Sequence, residues 1–155
     1  MEIASPLDVF EPGDQTALVC IDVPEPQRLV VDQLNALGYK QHNGLFTEDI
    51  LLKLRTHAYD VVLISEHFNA TDAETNPILA EATQAPIAQR RRQVVGLIGP
   101  NFHTNDEMQA FHHSVDFVVN LADIINLRPV LRRAVQRKQE FYTPFNDAMR
   151  AVGMA

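Results

Sequence analysis

Short apolar runs alternate with amphipathic segments along most of the chain. Polar residues or turn formers bound each run, which is typical of strands buried on both faces of a parallel sheet. Between the runs, apolar residues recur at helical spacing, as Leu29, Val30, Leu34 and Leu37 do. Strands are predicted at 16–22, 39–43, 59–65, 93–99 and 115–120. Helices are predicted at 24–38, 47–58, 77–92 with a break near Pro86, 104–113 and from about 124.

Residues at the helix starts support these boundaries. Thr47, followed by Glu48 and Asp49, is predicted to cap the second helix, and Thr104 is predicted to form a capping box with Glu107. Strands and helices that alternate with short connections favour right-handed crossovers and a parallel sheet. The predicted fold class is therefore α/β, a three-layer α/β/α sandwich around a five-stranded parallel sheet.

Length and composition fit one globular domain. The chain has 155 residues, of which 46% are hydrophobic, and this is enough to bury a sizeable core. Residues 1–14 have little periodicity and are predicted to be a linker-like segment. The rest divides into a domain at 15–140 and a helical extension at 141–155.

Two further features bear on the compartment. No apolar run approaches the roughly 20 residues needed to cross a bilayer, and the first residues include acids where a signal peptide has basic residues. We therefore expect a cytoplasmic protein without membrane contact. The single cysteine, Cys20, excludes an internal disulfide and lies in an apolar run, so it is predicted to be buried.

Charge is distributed unevenly between the body and the C-terminal part. From Asn126 onward there are six Lys or Arg and two Asp or Glu, which gives a net charge of +4. Because the whole chain has a net charge of −7, the residues before Asn126 have a net charge of −11. An acidic body repels phosphate backbones. Nucleic-acid binding is therefore not expected, since it would have to rest on the basic segment LRRAVQRKQ alone.

The turn after the first strand argues against nucleotide binding. Dinucleotide, flavin and triphosphate sites need glycine-rich loops whose backbone N–H groups approach phosphate closely. This chain has IDVPEPQ there, in which two prolines lack N–H donors and Asp22 and Glu25 add negative charge. No phosphate-binding loop motif occurs elsewhere in the sequence, and no cofactor is expected.

The segments CIDVPEPQRLVVDQLNALGY and YDVVLIS resemble the receiver domains of two-component response regulators, and the order of elements fits over about residues 16–140. The resemblance implies a flavodoxin-like sheet with strand order 2-1-3-4-5. It also implies where the phosphorylation machinery would lie. The acid pair falls on Ile21 and Asp22, the phosphoacceptor on Ser65, the strand-four hydroxyl residue on Ile98 or Gly99, and the strand-five lysine on Asn120.

Only one of the five expected groups is present, and the missing groups carry the chemistry. Phosphoryl transfer to a receiver needs a carboxylate nucleophile, acids that hold Mg²⁺ and a lysine. Ser65 is an alcohol, and Asp22 alone would hold Mg²⁺ weakly. Glu66 follows Ser65 directly, so its side chain should point to the opposite face of the sheet. The sequence predicts a non-phosphorylatable pseudo-receiver, not an enzyme, that acts through protein–protein interaction.

Two other sites remain open at this stage. Ser65, Glu66 and His67 could form a small-molecule or hydrolytic site at the sheet edge, although a serine nucleophile needs a base within about 3 Å. Asp22, His67 and His103 could approach one another and bind a divalent metal, but solvated loop histidines are the simpler interpretation, so no metal site is expected.

The C-terminal part carries more apolar residues than a receiver needs. Pro144 is predicted either to start a further short helix, with Thr143 as its cap, or to kink one long helix. The resemblance implies association through the fourth and fifth predicted helices, and the extension offers a homodimer contact or a site for a partner protein or output domain. The interaction surface is predicted to include Phe117, Val119, Leu127, Leu131, Phe141, Tyr142 and Phe145.

Overall fold

Five parallel strands form a sheet in the order 2-1-3-4-5, as predicted. The computed structural model describes residues 9–153. The strands are β1 (Thr16–Cys20), β2 (Lys40–Asn43), β3 (Val61–Ser65), β4 (Val94–Gly99) and β5 (Phe117–Asn120). The helices are α1 (Pro24–Ala36), α2 (Thr47–Thr56), α3 (Pro77–Thr83), α4 (Ile87–Arg90), α5 (Glu107–His112) and α6 (Leu127–Ala151), with 3₁₀ turns at Phe68–Ala70 and Leu121–Asn126.

The helices cover both faces of the sheet. One core lies between the sheet and helices α1 and α6, and it contains Val30 and Leu131. The other lies between the sheet and helices α2, α3 and α5, and it contains Ile50 and Ile78. All residues of β1 are buried because both of its faces are covered, and Cys20 is buried as predicted. The three-layer prediction is confirmed.

Two helices begin with different caps from those predicted. Phe46 is the N-cap of α2 and makes no side-chain cap, while Thr47 is the first helical residue. The carboxylate of Asp106 caps α5 by accepting hydrogen bonds from the backbone N–H groups of Met108 and Gln109. Thr104 does not cap α5, because its hydroxyl donates to Asp123 instead. Both threonine caps were therefore wrong.

The prolines of the C-terminal half have different effects. Helix α3 ends at Thr83 and α4 begins after Pro86, so the predicted break is present. Pro144 lies inside α6, which runs continuously from Leu127 to Ala151. Of the two alternatives for Pro144, the structure has the single long helix. No helix in the described range, 9–153, combines the length and apolarity needed to cross a membrane.

The described part of the predicted linker packs on the domain. Residues 1–8 lie outside the described residues. The ring of Phe10 stacks on His42 with 4.2 Å between ring centroids. Asp14 forms an ion pair with Lys40, with 3.0 Å between Oδ2 and Nζ.

Part of the predicted interaction surface lies in the core. Phe117, Val119, Leu127 and Leu131 are all buried between the sheet and α6. Side chains alternate between the two faces of a strand, and Phe117 and Val119 are on the face of β5 that α6 covers. The two leucines lie on the side of α6 that faces the sheet. These four assignments were wrong, because the apolar stripe of α6 covers its own sheet. Phe141 and Phe145, in contrast, are 76% and 44% exposed.

Candidate functional site

The carboxyl ends of the strands gather several of the predicted site residues at one edge of the sheet. Ser65 ends β3, Asn120 ends β5, and Asp22 follows β1. Gly99 ends β4 and lies in register with Asn120. In parallel α/β sheets this edge is where ligands bind.

Two of the positions implied for the phosphorylation machinery are part of the core. Ile21 and Ile98 are each 2% exposed and pack in the cluster beneath α1 and α6. Neither side chain can bind a metal ion or a phosphoryl group. Burying a carboxylate at residue 21 or a hydroxyl at residue 98 without partners would carry a desolvation cost, which the isoleucines avoid.

Asp22 is tied to the loop that follows β3. Its Oδ2 accepts a hydrogen bond from the backbone N–H of Asn69 at 2.9 Å. The side-chain amide of Asn69 donates to the hydroxyl of Thr47 at 2.7 Å. Asn69 and the following Ala70 both have left-handed backbone conformations, with φ of 52° and 61°. Two consecutive non-glycine residues in this region are uncommon, and the hydrogen bonds of Asn69 help to hold them.

Ser65 contributes to the structure through its backbone. Its carbonyl accepts a hydrogen bond from the side-chain amide of Asn76 at 2.9 Å. The Oδ1 atom of Asn76 caps α3, because it accepts hydrogen bonds from the backbone N–H groups of Ile78 and Leu79. Asn76 is 2% exposed and so joins the end of β3 to the start of α3.

The arrangement of Ser65, Glu66 and His67 does not activate the serine. The Nδ1 atom of His67 lies 2.9 Å from the carbonyl oxygen of Thr71, and its Nε2 lies 3.7 Å from Glu66 Oε1. Within residues 9–153, no hydrogen bond joins the Ser65 hydroxyl to the His67 ring or the Glu66 carboxylate. A nucleophilic hydroxyl needs a base within hydrogen-bond reach, and none is in place here.

Glu66 is the buried carboxylate of the edge. It is 4% exposed, and its backbone N–H donates to the carbonyl of Ile98 at 2.9 Å. The backbone N–H of Asn101 donates to Oε1 at 3.2 Å, and the Asn101 side-chain amide donates to Oε2 at 3.3 Å. A Cβ atom on Gly99 would overlap the Glu66 carboxyl group. The absence of a side chain at residue 99 therefore makes room for this carboxylate.

Asn120 uses its side chain to hold the neighbouring loops. Its Nδ2 donates to the carbonyl of Phe102 at 2.7 Å and to that of Pro100 at 3.4 Å. Its Oδ1 accepts from Ala122 N at 2.8 Å, which caps the 3₁₀ turn after β5. The donors and the acceptor of this amide are thus engaged with backbone groups on both sides.

The candidate metal ligands do not come together in the described part of the chain. No group of three or more His, Cys, Asp or Glu side chains in the described part of the chain is placed to hold a metal ion. Asp22, His67 and His103 are therefore not assembled as one site. Three asparagines that sequence reasoning missed, Asn69, Asn76 and Asn101, organise this edge; they lie in loops rich in turn formers, where such residues are common for many reasons.

Among known proteins, similarity to this chain is found in solved structures. No family model matches the chain, and no curated protein matches it. The structure resembles an orphan response regulator of H. pylori, with 18% identity over 79% of this chain and 98% of the other and a TM-score of 0.59. It also resembles the receiver domain of a sensor histidine kinase from Pseudomonas aeruginosa PAO1, whose active-site cleft coordinates a magnesium ion. In that case the identity is 18%, the coverage is 80% of this chain and 99% of the other, and the TM-score is 0.61.

A third similar structure is the signal receiver domain of an HD domain-containing protein from Pseudomonas fluorescens Pf-5. The identity is 16%, the coverage is 87% of this chain and 96% of the other, and the TM-score is 0.64. The chain therefore has the fold of response-regulator receiver domains. At this level of identity the likeness establishes the fold, and function has to be argued from the site.

Proposed function

We propose that this protein is a receiver-like signalling domain that is not phosphorylated and that acts by binding another protein. The observation that carries the proposal is that Ser65 ends β3 and Asn120 ends β5. The resemblance to receiver domains implies the phosphoacceptor and the lysine at these two positions. Without a carboxylate nucleophile, no acyl phosphate can form at residue 65.

The metal and charge requirements support the same conclusion. Mg²⁺ prefers several oxygen ligands, commonly including one or two carboxylates, and it offsets phosphate charge during transfer. Asp22 offers one carboxylate, and one of its oxygens already accepts a hydrogen bond from Asn69. Glu66 is directed toward Gly99 and Asn101. The amide of Asn120 carries no charge with which to stabilise a phosphorylated product.

The loop after β4 receives hydrogen bonds from several sides. Glu66 binds Asn101, and Asn120 binds the carbonyls of Pro100 and Phe102. The side chain of Gln109 accepts a hydrogen bond from His103 N at 2.7 Å and donates to Asn101 O at 3.2 Å. A loop pinned in this way favours a domain with a fixed conformation over one that switches on phosphorylation.

Exposed apolar side chains supply surfaces for a partner. On α5, Met108 and Phe111 are 74% and 80% exposed, and on α6 Phe141 is 76% exposed. Methionine and aromatic side chains are enriched at protein–protein interfaces. We propose that this part of the molecule contacts a partner protein, an output domain or a second copy of the chain.

The test is incubation with acetyl phosphate and Mg²⁺ followed by intact mass spectrometry. A receiver domain with an intact aspartate and lysine serves as the positive control for the reagent. We expect no mass gain, and melting temperatures with and without Mg²⁺ should agree. A stoichiometric, acid-labile phosphate on the chain would overturn the proposal.

The alternative function, a small-molecule or hydrolytic site at Ser65, Glu66 and His67, has less support. The His67 ring is directed to Thr71 and Glu66, and the Glu66 carboxylate is directed to Asn101. Turnover of a simple ester that is lost in Ser65→Ala would favour this alternative.

A further inference from the structure

A second surface lies at the opposite edge of the sheet, near the amino ends of the strands. A groove of about 580 Å³ runs between α4 and α6, lined among others by Ile87, Arg90 and Phe141. A neighbouring groove of about 380 Å³ is lined among others by Arg91 and Arg92. Both grooves include Lys138 and Tyr142. We call the two together the trough.

The trough contains guanidinium groups without a carboxylate partner. Within residues 9–153, none of Arg90, Arg91 and Arg92 forms an ion pair. In the described part of the chain, Arg90 donates to the carbonyls of Thr83 and Ser114 and to no carboxylate. Hydrogen bonds to neutral carbonyls leave the positive charge of the guanidinium uncompensated. Arg90 ends a helix of only four residues, and Arg91 and Arg92 lie beyond it, so compensation of a helix dipole is a weak reason for three consecutive arginines.

Two of the three acids that line the trough, in contrast, are paired with lysines. Asp116 pairs with Lys138 at 2.8 Å, and Asp14 pairs with Lys40 at 3.0 Å. Asp60 accepts a hydrogen bond from the backbone N–H of Thr16 at 2.8 Å and keeps its negative charge. Three unpaired arginines against one unpaired carboxylate leave a positive charge for a ligand, on a protein whose total charge is −7.

Apolar side chains lie beside these cations. Ile87 and Phe141 are 75% and 76% exposed on the groove between α4 and α6. The guanidinium of Arg91 lies 4.5 Å from the centroid of the Phe145 ring. Arginine and aromatic side chains are enriched at protein–protein interfaces, and arginine is also enriched at their energetic hot spots. A solvated helix face, in contrast, would carry charged and polar groups with few large apolar neighbours.

We propose that the trough binds an acidic segment of a partner protein, with Arg91 and Arg92 contacting its carboxylates and Ile87 and Phe141 contacting its apolar side chains. Guanidinium groups bind carboxylates in a bidentate geometry, and the grooves receive the apolar anchors. This inference rests on the proposed function, since it names the surface and the chemistry of the partner. A protein segment is favoured over a nucleic acid because the exposed Ile87 and Phe141 match apolar amino-acid side chains, which a phosphate backbone lacks. The total charge of −7 also repels a long polyanion.

The test uses a random peptide display library and two charge-reversal variants. Arg91→Glu with Arg92→Glu alters the trough, and Arg132→Glu with Arg133→Glu makes the same change in net charge on exposed residues of α6 that do not line it. We expect the library to enrich peptides that combine Asp or Glu with aromatic or aliphatic residues. Binding of the enriched peptides should fall by at least about tenfold in the trough variant and by less than about twofold in the control, with a steep salt dependence.

A second pair of variants covers the case in which the trough variant does not fold. Phe141→Ser removes an exposed apolar side chain from the trough, and Phe46→Ser removes a similarly exposed one at the start of α2, away from both proposed surfaces. Thermal unfolding of all variants establishes that they are folded. The first change should weaken binding of the enriched peptides by at least about tenfold and the second by less than about twofold.

Several outcomes would overturn the inference. Enrichment of basic peptides, no enrichment at all, or equal loss of binding in the trough and control variants would exclude the trough as an acidic-peptide site. A single-stranded oligonucleotide that binds through Arg91 and Arg92 more tightly than the peptides would assign the trough to nucleic acid. A dimer in sedimentation that only the trough variant dissociates would assign it to a second copy. Peptides that bind through Phe111 would exclude the trough as the peptide site but would leave the proposed interaction function intact. The acetyl phosphate experiment tests the absence of phosphorylation independently of these binding outcomes.

Discussion

The carboxylate of Glu66 lies where a side chain on residue 99 would have to be. A Cβ built on Gly99 would overlap Oε1 and approach the Cδ and Cγ atoms of Glu66 too closely. Glu66 also receives two hydrogen bonds from Asn101 in this position. The two residues are thus mutually dependent, since the buried carboxylate needs the missing side chain.

Gly99→Ser should therefore destabilise the protein by displacing a buried carboxylate. We expect a loss of about 1–3 kcal/mol in the free energy of unfolding, which is the usual range for an overpacked core position. The φ angle of Gly99 is not positive, so its backbone conformation is compatible with a side chain. Urea unfolding measures the change.

A double-mutant cycle isolates the contact. Glu66→Ala should be destabilising by itself because the bonds to Asn101 are lost. If the overlap is the cause, Gly99→Ser should cost much less in the Glu66→Ala background than in the wild type. Additive costs would show that the two residues do not interact in this way.

The second prediction concerns Asn120. Asn120→Ala removes the hydrogen bonds to Phe102 and Pro100 and the cap on Ala122, so we expect a loss of about 2 kcal/mol in the free energy of unfolding. Asn120→Ser can keep the cap and should cost less. Asn120→Lys should also destabilise the protein and should not permit phosphorylation in the acetyl phosphate assay, because Ser65 remains an alcohol. Equal stability of the wild type and Asn120→Ala would contradict the structural role.

The sheet could be predicted from the sequence because its strands are continuous apolar runs. The runs that contain Val61–Ser65 and Val94–Gly99 have turn formers or charges at their ends, and both became central strands. A continuous apolar run of this length is typical of a strand that is buried on both faces of a parallel sheet. Helix starts were less predictable, since Thr47 and Thr104 are good caps by type but form hydrogen bonds with Asn69 and Asp123 instead.

The candidate site could be predicted only as a set of positions. The order of elements placed Ser65 and Asn120 at the ends of their strands, and the structure has them there. The alternation rule indicated that Glu66 would point away from the face of Ser65, but not that it would fill the space above Gly99. Which polar side chain fills a gap depends on loops that meet in space, as those of Glu66 and Asn101 do.

The third prediction separates the core face of α6 from its exposed face. Leu131 is completely buried and Phe141 is 76% exposed, although both were predicted to lie on the interaction surface. Leu131→Ala should cost about 2–5 kcal/mol in the free energy of unfolding. Phe141→Ser should change it by less than about 0.5 kcal/mol, because it removes no core contact. A large loss of stability in Phe141→Ser would mean that the C-terminal half of α6 packs more closely on the domain than its exposure indicates.

The fourth prediction concerns the pH dependence of stability at Cys20. Burial raises the pKa of the Cys20 thiol above its ordinary value of 9.0, because the thiolate would be desolvated in the core. Above that pH the unfolded chain releases a proton that the folded chain retains, so stability is complete below pH 9.0 and falls as the pH rises. Between about pH 8 and about pH 10 this contributes a loss of about 1 kcal/mol. Burial also raises the pKa of Tyr59, and this contribution is common to the wild type and to Cys20→Ala, whereas the smaller contribution from the charge of Cys20 is lost with the thiol. The free energy of unfolding should therefore fall more steeply over this range in the wild type than in Cys20→Ala, and parallel profiles would contradict a buried neutral thiol.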